Sequence, residues 1–280
     1  MLITQSRNES GAMLRALLAI AGFILLVRLT LHVGLEIVGI DPGLPSGYSR
    51  EATLLGIAFD GLIVLLGLAL YRWLDRRDIK EFGFSVSPLA VRVTLLCLLL
   101  LATIYLMLAA VTTWQGISWA RPEVVPLYLL RTILVGLAVG FGEEVFFRGY
   151  IHRTLMGYGR PWSYLISCSL FALAHFAAEP FHVLRFIGTF LPALLFTYLY
   201  EQTGSIWPGT VVHAALNLSG YLLIRDIPYI SLLTYGEPQA LVLGWWQALY
   251  FVALVAMYWA TRSLTEVREP KPHSPRTRTP

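Results

Sequence analysis

The chain has 280 residues, 56% of them hydrophobic and only 14% charged, against roughly 25% charged in an average soluble domain. With a mean hydropathy of +0.65, this excludes a disordered chain, a coiled coil and a disulfide scaffold. It also argues against a soluble enzyme, because 21 basic and 17 acidic residues are too few to cover the surface of a water-soluble fold this size.

The net charge of +4 does not point to nucleic acid, and no nucleic-acid partner is expected. The basic residues sit between long apolar runs, where they report topology in a bilayer. A spanning helix needs about 20 mainly apolar residues. In chain order, eight stretches read as spans: Met13–Val38, Ala52–Leu74, Leu89–Val111, Pro126–Phe147, Trp162–Ala178, Val183–Tyr200, Ile206–Leu223 and Ala240–Ala260. The fifth to seventh are short and closely spaced. The alternation of an outer-membrane barrel is absent. The fold expected is all-α: a polytopic membrane bundle of about eight transmembrane helices over residues 1–262. A disordered, basic, proline-rich cytoplasmic tail would follow over 263–280.

Arg7 and Arg15 precede the first apolar run, but no small-x-small cleavage site follows cleanly, and Arg28 and His32 interrupt the run. The first span is therefore read as retained, not as a signal peptide. With the N-terminus inside, fifteen Lys and Arg between Arg7 and Arg278 fall on the inner side. Five (Arg50, Arg121, Arg131, Arg185 and Arg225) fall outside, and Arg28 lies within a span. That bias places both termini in the cytoplasm. The eight tryptophans lie near span ends, as an aromatic belt would. Cys97 and Cys168 fall in apolar segments and read as small buried residues.

Ionisable residues within spans are costly and mark function. In the first span, Arg28, His32 and Glu36 form a stripe at four-residue spacing, and Asp60 sits in the second. Ion pairing between these helices, Arg28 with Asp60, is the expectation. His182 and Arg185 read as interfacial anchors. The fourth span ends in Gly142-Glu143-Glu144-Val145-Phe146-Phe147-Arg148. Glu144 and Arg148 are four apart and share a helix face, so they pair. Glu143 points about 100° away and has no local partner.

The next polar group is His175, in Phe171-Ala172-Leu173-Ala174-His175. The turn Gly157-Tyr158-Gly159-Arg160-Pro161 carries strong breakers. Glu143 lies sixteen residues before Gly159 and His175 sixteen after it. An antiparallel helical hairpin therefore brings both to one depth. In the seventh span, His213 and Asn217 share a face by their spacing of four. The alanines between them permit close helix approach, and Pro208 suits the first turn.

Together these groups offer a base, two histidines and an amide on three helices. That set can activate water and stabilise an oxyanion. No serine or cysteine nucleophile is evident, so water would attack directly. Alternatively, Glu143 or Glu144 with His175 and His213 would form a three-ligand zinc site holding one water. The same groups could also serve as the proton path of a transporter, which predicts repeated halves or helices broken at midplane. Pro192 is the one such sign. A non-catalytic membrane scaffold or immunity protein would predict that changing Glu143 is harmless. No phosphate-cradling glycine loop is present.

Glu143-Glu144-x-x-x-Arg148, Phe171-x-x-x-His175 and His213-x-x-x-Asn217 are similar, in order and approximate spacing, to the three motifs of the CPBP family. These are type II CAAX prenyl endopeptidases and bacteriocin-processing or self-immunity proteins, also called the Abi family. The resemblance covers a motif core over 127–223. It implies an intramembrane endopeptidase in which Glu143 activates water with help from His175, His213 and Asn217 form the oxyanion hole, and Glu144 and Arg148 support the site. It further implies a membrane-associated or lipidated protein or peptide as substrate, in a prokaryotic cytoplasmic membrane. A prenylated protein, a bacteriocin leader and a C-terminal sorting tail all fit. No cofactor is required by this reading. An asparagine beside the histidine suits an oxyanion better than a zinc ligand, which favours the metal-free form.

Overall fold

The structure, a computed structural model, describes residues 2–40, 49–115, 119–120, 125–177, 180–220, 234–235 and 239–266. Among the described residues, eight long helices follow one another in the order expected. α1 (Leu2–His32) runs on through a π-helical stretch, Val33–Val38, and ends at Gly39. α2 (Arg50–Ala69) starts at Ser49, whose side chain accepts from the Ala52 backbone N–H, and continues through Leu70–Leu74. α3 (Pro88–Trp114) is capped in the same way by Ser87. Such caps satisfy backbone donors that the first turn leaves orphaned.

α4 (Pro126–Glu144) continues as a π-helical stretch, Val145–His152, and a last α-turn, Arg153–Leu155. α5 (Arg160–Ala174), α6 (Val183–Thr203), α7 (Trp207–Ser219) and α8 (Gln239–Glu266) complete the bundle. Besides these, β1 (Trp119–Ala120) and β2 (Thr234–Tyr235) form a two-residue antiparallel pair.

Among the described residues, four stretches are long and apolar enough to cross a membrane unaided: Gly11–Val38, Arg50–Leu74, Pro88–Trp114 and Val183–Thr203. α5 is shorter than the span read from sequence. Fifteen residues rise about 22 Å, under the ~30 Å hydrocarbon thickness. α7 packs against α3, α4 and α6, and the end of the span read there, at Leu223, lies outside the described residues.

α4 shows the opposite difference. It was expected to stop at Phe147 and instead winds on to Leu155. Only Gly149 interrupts the stretch, and Gly149 is required there: a Cβ would collide with the Phe82 ring. The π-helical residues are all buried. Phe146, Phe147, Tyr150 and Ile151 pack with Phe23 of α1, Tyr71 and Phe82 in one core cluster. A second cluster joins Val93 and Cys97 of α3, Leu199 of α6, Val212 and Leu216 of α7, and Met257 of α8. Both cysteines are free and buried. Leu25, Leu65, Leu99 and Leu106 are well over half exposed, an apolar outer surface suited to lipid. Trp73, Trp114, Trp162 and Trp259, near helix ends, are exposed too. The side chains of Trp119, Trp245 and Trp246 lie outside the described residues, as do Arg121 and Arg225.

One expected ion pair is not formed. Arg28 is exposed on the outer side of α1, whereas Asp60 is 3% exposed and turned inward. Asp60 meets α4 at Gly142, where a Cβ would stand 3.2 Å from the Asp60 carbonyl oxygen. The first-span stripe pairs within itself instead, His32 Nδ1 lying 3.0 Å from Glu36 Oε2. Four-residue spacing defines a face on one helix but not which neighbour that face meets. His182 and Arg185 are exposed, the Arg185 guanidinium 5.9 Å from the Phe176 ring centre. α8 extends to Glu266, four residues into the segment read as a tail, and 267–280 lie outside the described residues.

Candidate active site

α4 lies between α2 and α7, and its glycines set how close both come. A Cβ on Gly140 would stand 2.9 Å from the Thr210 carbonyl oxygen of α7, and one on Gly136 would stand 3.0 Å from the Leu218 side chain. On the neighbouring face Gly142 admits Asp60 of α2. Small residues at such crossings let helix backbones approach. Here they bring the acidic end of α4 against the first turns of α7. At Gly209 a Cβ would fall 2.6 Å from Glu144 Oε2, so the absence of a side chain there makes room for the carboxylate. Gly209→Ala is therefore expected to lower stability by about 1–3 kcal/mol, the range for overpacking a full interior. A fall in the unfolding midpoint of the purified variant in detergent checks this. An unchanged midpoint would mean that Glu144 has another place to go.

Glu144 and Arg148 pair one turn apart, with Arg148 NH1 donating to Glu144 Oε1 at 2.7 Å and each side chain 1% exposed. The guanidinium also donates through NH2 to the Ala193 carbonyl of α6 at 3.2 Å. It lies 4.5 Å from the Phe171 ring centre and 5.2 Å from that of Phe196. A buried charge is tolerated when paired and hydrogen-bonded, and this arginine is both.

The same carboxylate orients a histidine. His213 Nδ1 is 3.2 Å from Glu144 Oε1. An ionised carboxylate only accepts, so the bond assigns the proton to Nδ1 and turns Nε2 toward Glu143. His213 also stacks on Phe196, ring centres 4.8 Å apart and planes at 20°. His175 stands at the C-terminal end of α5, its Nδ1 2.9 Å from the Phe171 carbonyl oxygen. A carbonyl likewise only accepts, so Nδ1 donates and Nε2 is again the free nitrogen. The two rings are thus fixed alike by different groups.

The three elements converge on Glu143. Its Oε2 is 3.6 Å from His213 Nε2 and 4.0 Å from His175 Nε2. That oxygen is buried and has no direct hydrogen-bond partner. Asn217 lies one turn beyond His213 on α7, half-buried, and its side chain makes no hydrogen bond to Glu143, His175 or His213. It shares the helix face of His213.

Phe196 was not singled out from sequence, and Phe171 entered only as the first letter of a motif. Their place is structural: Phe171 meets Arg148, His175 and His213 at once, with ring centres 4.7 Å from His175 and 5.9 Å from His213. Among the described residues, no group of three or more His, Cys, Asp or Glu side chains is arranged to hold a metal ion. Both Nδ1 atoms are committed elsewhere, and Glu143 stands 3.6 and 4.0 Å from the remaining ring nitrogens. With Nδ1 held by protein on both rings, the two free Nε2 atoms and Glu143 are the donors a metal ion would use here.

Residues 125–219 match a family model described as type II CAAX prenyl endopeptidase Rce1-like. The match runs from the residue before α4 to the last residue of α7 and takes in all three motifs, in agreement with the resemblance to the CPBP family. It supports an intramembrane endopeptidase activity in general terms. Together with four helices among the described residues that are long and apolar enough to cross a membrane, it supports an integral membrane protein. No curated protein and no solved structure matches the chain.

Proposed function

We propose that this protein is an intramembrane endopeptidase that hydrolyses a peptide bond of a membrane-associated or lipidated substrate through water activated by Glu143. One observation carries the reading. A buried carboxylate oxygen without a direct partner faces two imidazole Nε2 atoms at 3.6 and 4.0 Å. Polar atoms separated by more than about 3.5 Å are at the spacing a single water bridges.

In the step proposed, the water oxygen attacks the scissile carbonyl carbon and Glu143 takes the proton. The carbonyl oxygen becomes an oxyanion. As it collapses, the carbon–nitrogen bond breaks and the proton passes from Glu143 to the leaving amine. His175, held through Nδ1, offers its Nε2 to the same water. A proton taken up from solvent at His213 Nε2 lets that ring donate to the oxyanion, while Glu144 holds its Nδ1. Asn217, one turn along the same face, supplies an amide N–H to that oxyanion. Glu144 orients His213, and Arg148 holds Glu144.

The test uses the whole protein reconstituted in lipid vesicles. It is given a farnesylated peptide ending in a CAAX sequence and the same peptide without lipid, and released fragments are followed by mass spectrometry. Cleavage of the lipidated peptide, persisting in a strong chelator, is expected. If well-folded protein cleaves neither this nor any other membrane-anchored peptide, the hydrolase reading fails. Loss of activity together with stoichiometric zinc would replace the metal-free step with metal-assisted hydrolysis.

A further inference from the structure

The two charges expected to pair across α1 and α2 are both left over. Arg28 and Asp60 lie in stretches able to span a membrane, Gly11–Val38 and Arg50–Leu74, where an unpaired ionisable side chain is costly. Arg28 is exposed and has no ion pair among the described residues. One turn on, His32 is occupied by Glu36, Nδ1 to Oε2 at 3.0 Å. Asp60 is 3% exposed, and its Oδ2 has no hydrogen-bond partner. It lines an open recess of ≈ 520 Å³ between α2 and α4 with Ile57, Gly61, Val64, Ala138 and Phe141. Among the described residues, no Lys, Arg or His lines this recess.

Contacts between α1 and α2 put the two residues at one depth. Arg15 Nε meets Asp75 Oδ1 at 2.7 Å. A Cβ on Gly22 would stand 3.5 Å from Leu66 Cδ2, and one on Gly34 would stand 3.0 Å from Leu55 Cδ2. Arg28 is midway from Gly22 to Gly34, and residues 60 and 61 are midway from Leu66 to Leu55. The side chains nonetheless diverge. At about 100° per residue, Arg28 is turned about 220° from Arg15, onto the flank of α1 away from α2. Asp60 faces α4 at Gly142. Within one chain the two charges are level but on opposite sides of the α1–α2 pair.

We propose that this face is a homodimer contact, in which Arg28 of each copy enters the α2–α4 recess of the other and pairs with Asp60. A two-fold axis along the membrane normal leaves every residue at its own depth, so residues level within a chain are level between copies. With the axis beside the α1–α2 crevice, each α1 lies over the other copy's α2, and its outer flank comes over the recess. Exposed Leu25, Leu29 and Leu65 are there to pack between the copies. At Gly61 a Cβ would meet nothing within 4 Å, and a small residue lets membrane helices approach. The contact is isologous, so each dimer makes the bond twice. An anionic lipid headgroup would suit Arg28 but repel Asp60, and a cationic one the reverse. A second copy carries both charges in the order required. The contact does not depend on the hydrolase reading.

The experiment reconstitutes the full chain in phosphatidylcholine vesicles at a series of protein-to-lipid ratios and follows energy transfer between donor- and acceptor-labelled copies. Both native cysteines are buried, so a cysteine added after Pro280 takes the dye. Wild type is expected to show transfer that saturates as the ratio rises. Arg28→Gln and Asp60→Asn should each weaken association about tenfold or more, since two bonds between helices are lost per dimer. Mixed with each other, the two variants should associate more tightly than either does alone, because the mixed pair keeps one Arg28–Asp60 bond. A merely structural role for either residue predicts no such preference. Gly61→Phe keeps both charges but fills the recess, and should also weaken association. Wild type without transfer at any ratio, affinities unchanged in the variants, or a mixture no tighter than its components overturns the proposal. If Arg28→Gln or Asp60→Asn does not fold, the remaining single variant and Gly61→Phe decide.

Discussion

Glu143→Gln is expected to reduce hydrolysis by about 10²–10⁴-fold, the contribution typical of a general base, while leaving the protein folded. The change is isosteric. The amide cannot take a proton from water, yet it keeps the volume of the carboxylate in a position where the side chain is 15% exposed and no direct hydrogen bond to Oε2 is lost. The measurement pairs initial cleavage rates with unfolding midpoints of wild type and variant in the same detergent. Undiminished cleavage would remove Glu143 from the mechanism. Equal loss of rate and of fold would mean the carboxylate is structural. The neighbouring acid makes an internal control, because Glu144→Gln strips a carboxylate from both Arg148 and His213 and should damage stability as well as rate.

The second large effect belongs to Arg148→Met. Removing the arginine leaves Glu144 buried at 1% exposure with His213 as its remaining partner. It also takes a donor from the Ala193 carbonyl and a cation from two aromatic faces. Breaking one side of a buried pair costs about 3–5 kcal/mol, enough to shift an unfolding curve far outside error. The double variant Glu144→Gln with Arg148→Met should recover part of that loss, because no uncompensated charge remains. Arg148→Lys should stay well below wild type, since an ammonium cannot serve both NH1 and NH2 contacts with one planar fork. A single variant that unfolds at the wild-type denaturant concentration would show that the pair contributes nothing net.

What the sequence reveals about this site follows from which distances run along the chain. Glu143 and His175 are equally spaced about Gly159, and a helical hairpin turns that symmetry into proximity. Glu144 and Arg148 are one helical turn apart, and that turn alone makes the pair. The partner of Asp60 cannot be read in this way. It depends on the rotation of α2 against α4, which is set by Gly142 and by packing on three sides, and four-residue spacing within α1 has no bearing on it. Phe196 is hidden for a related reason. In an apolar helix, a ring that stacks on a buried histidine and a ring that faces lipid are written with the same letter. The π-helical stretch leaves no trace in composition at all.

That stretch, Val145–His152, joins two parts of α4 with separate obligations. Before it, Glu144 must meet His213. After it, Arg153 NH1 reaches Tyr71 OH at 3.3 Å, and Thr154 Oγ1 donates to Asp75 Oδ2 at 3.0 Å, a carboxylate also 2.7 Å from Arg15 of α1. A residue added to or taken from a helix swings everything beyond it by about 100°. Looser winding over eight residues absorbs such a mismatch, so each half keeps its own azimuth. Sequence drift is therefore constrained unevenly along α4. Side chains in the wide turns can be exchanged for others of equal bulk, but the number of residues between Glu144 and Arg153 cannot vary. An insertion or deletion there acts like a slipped gear tooth, because it unseats either the carboxylate from its histidine or the helix end from α1 and α2.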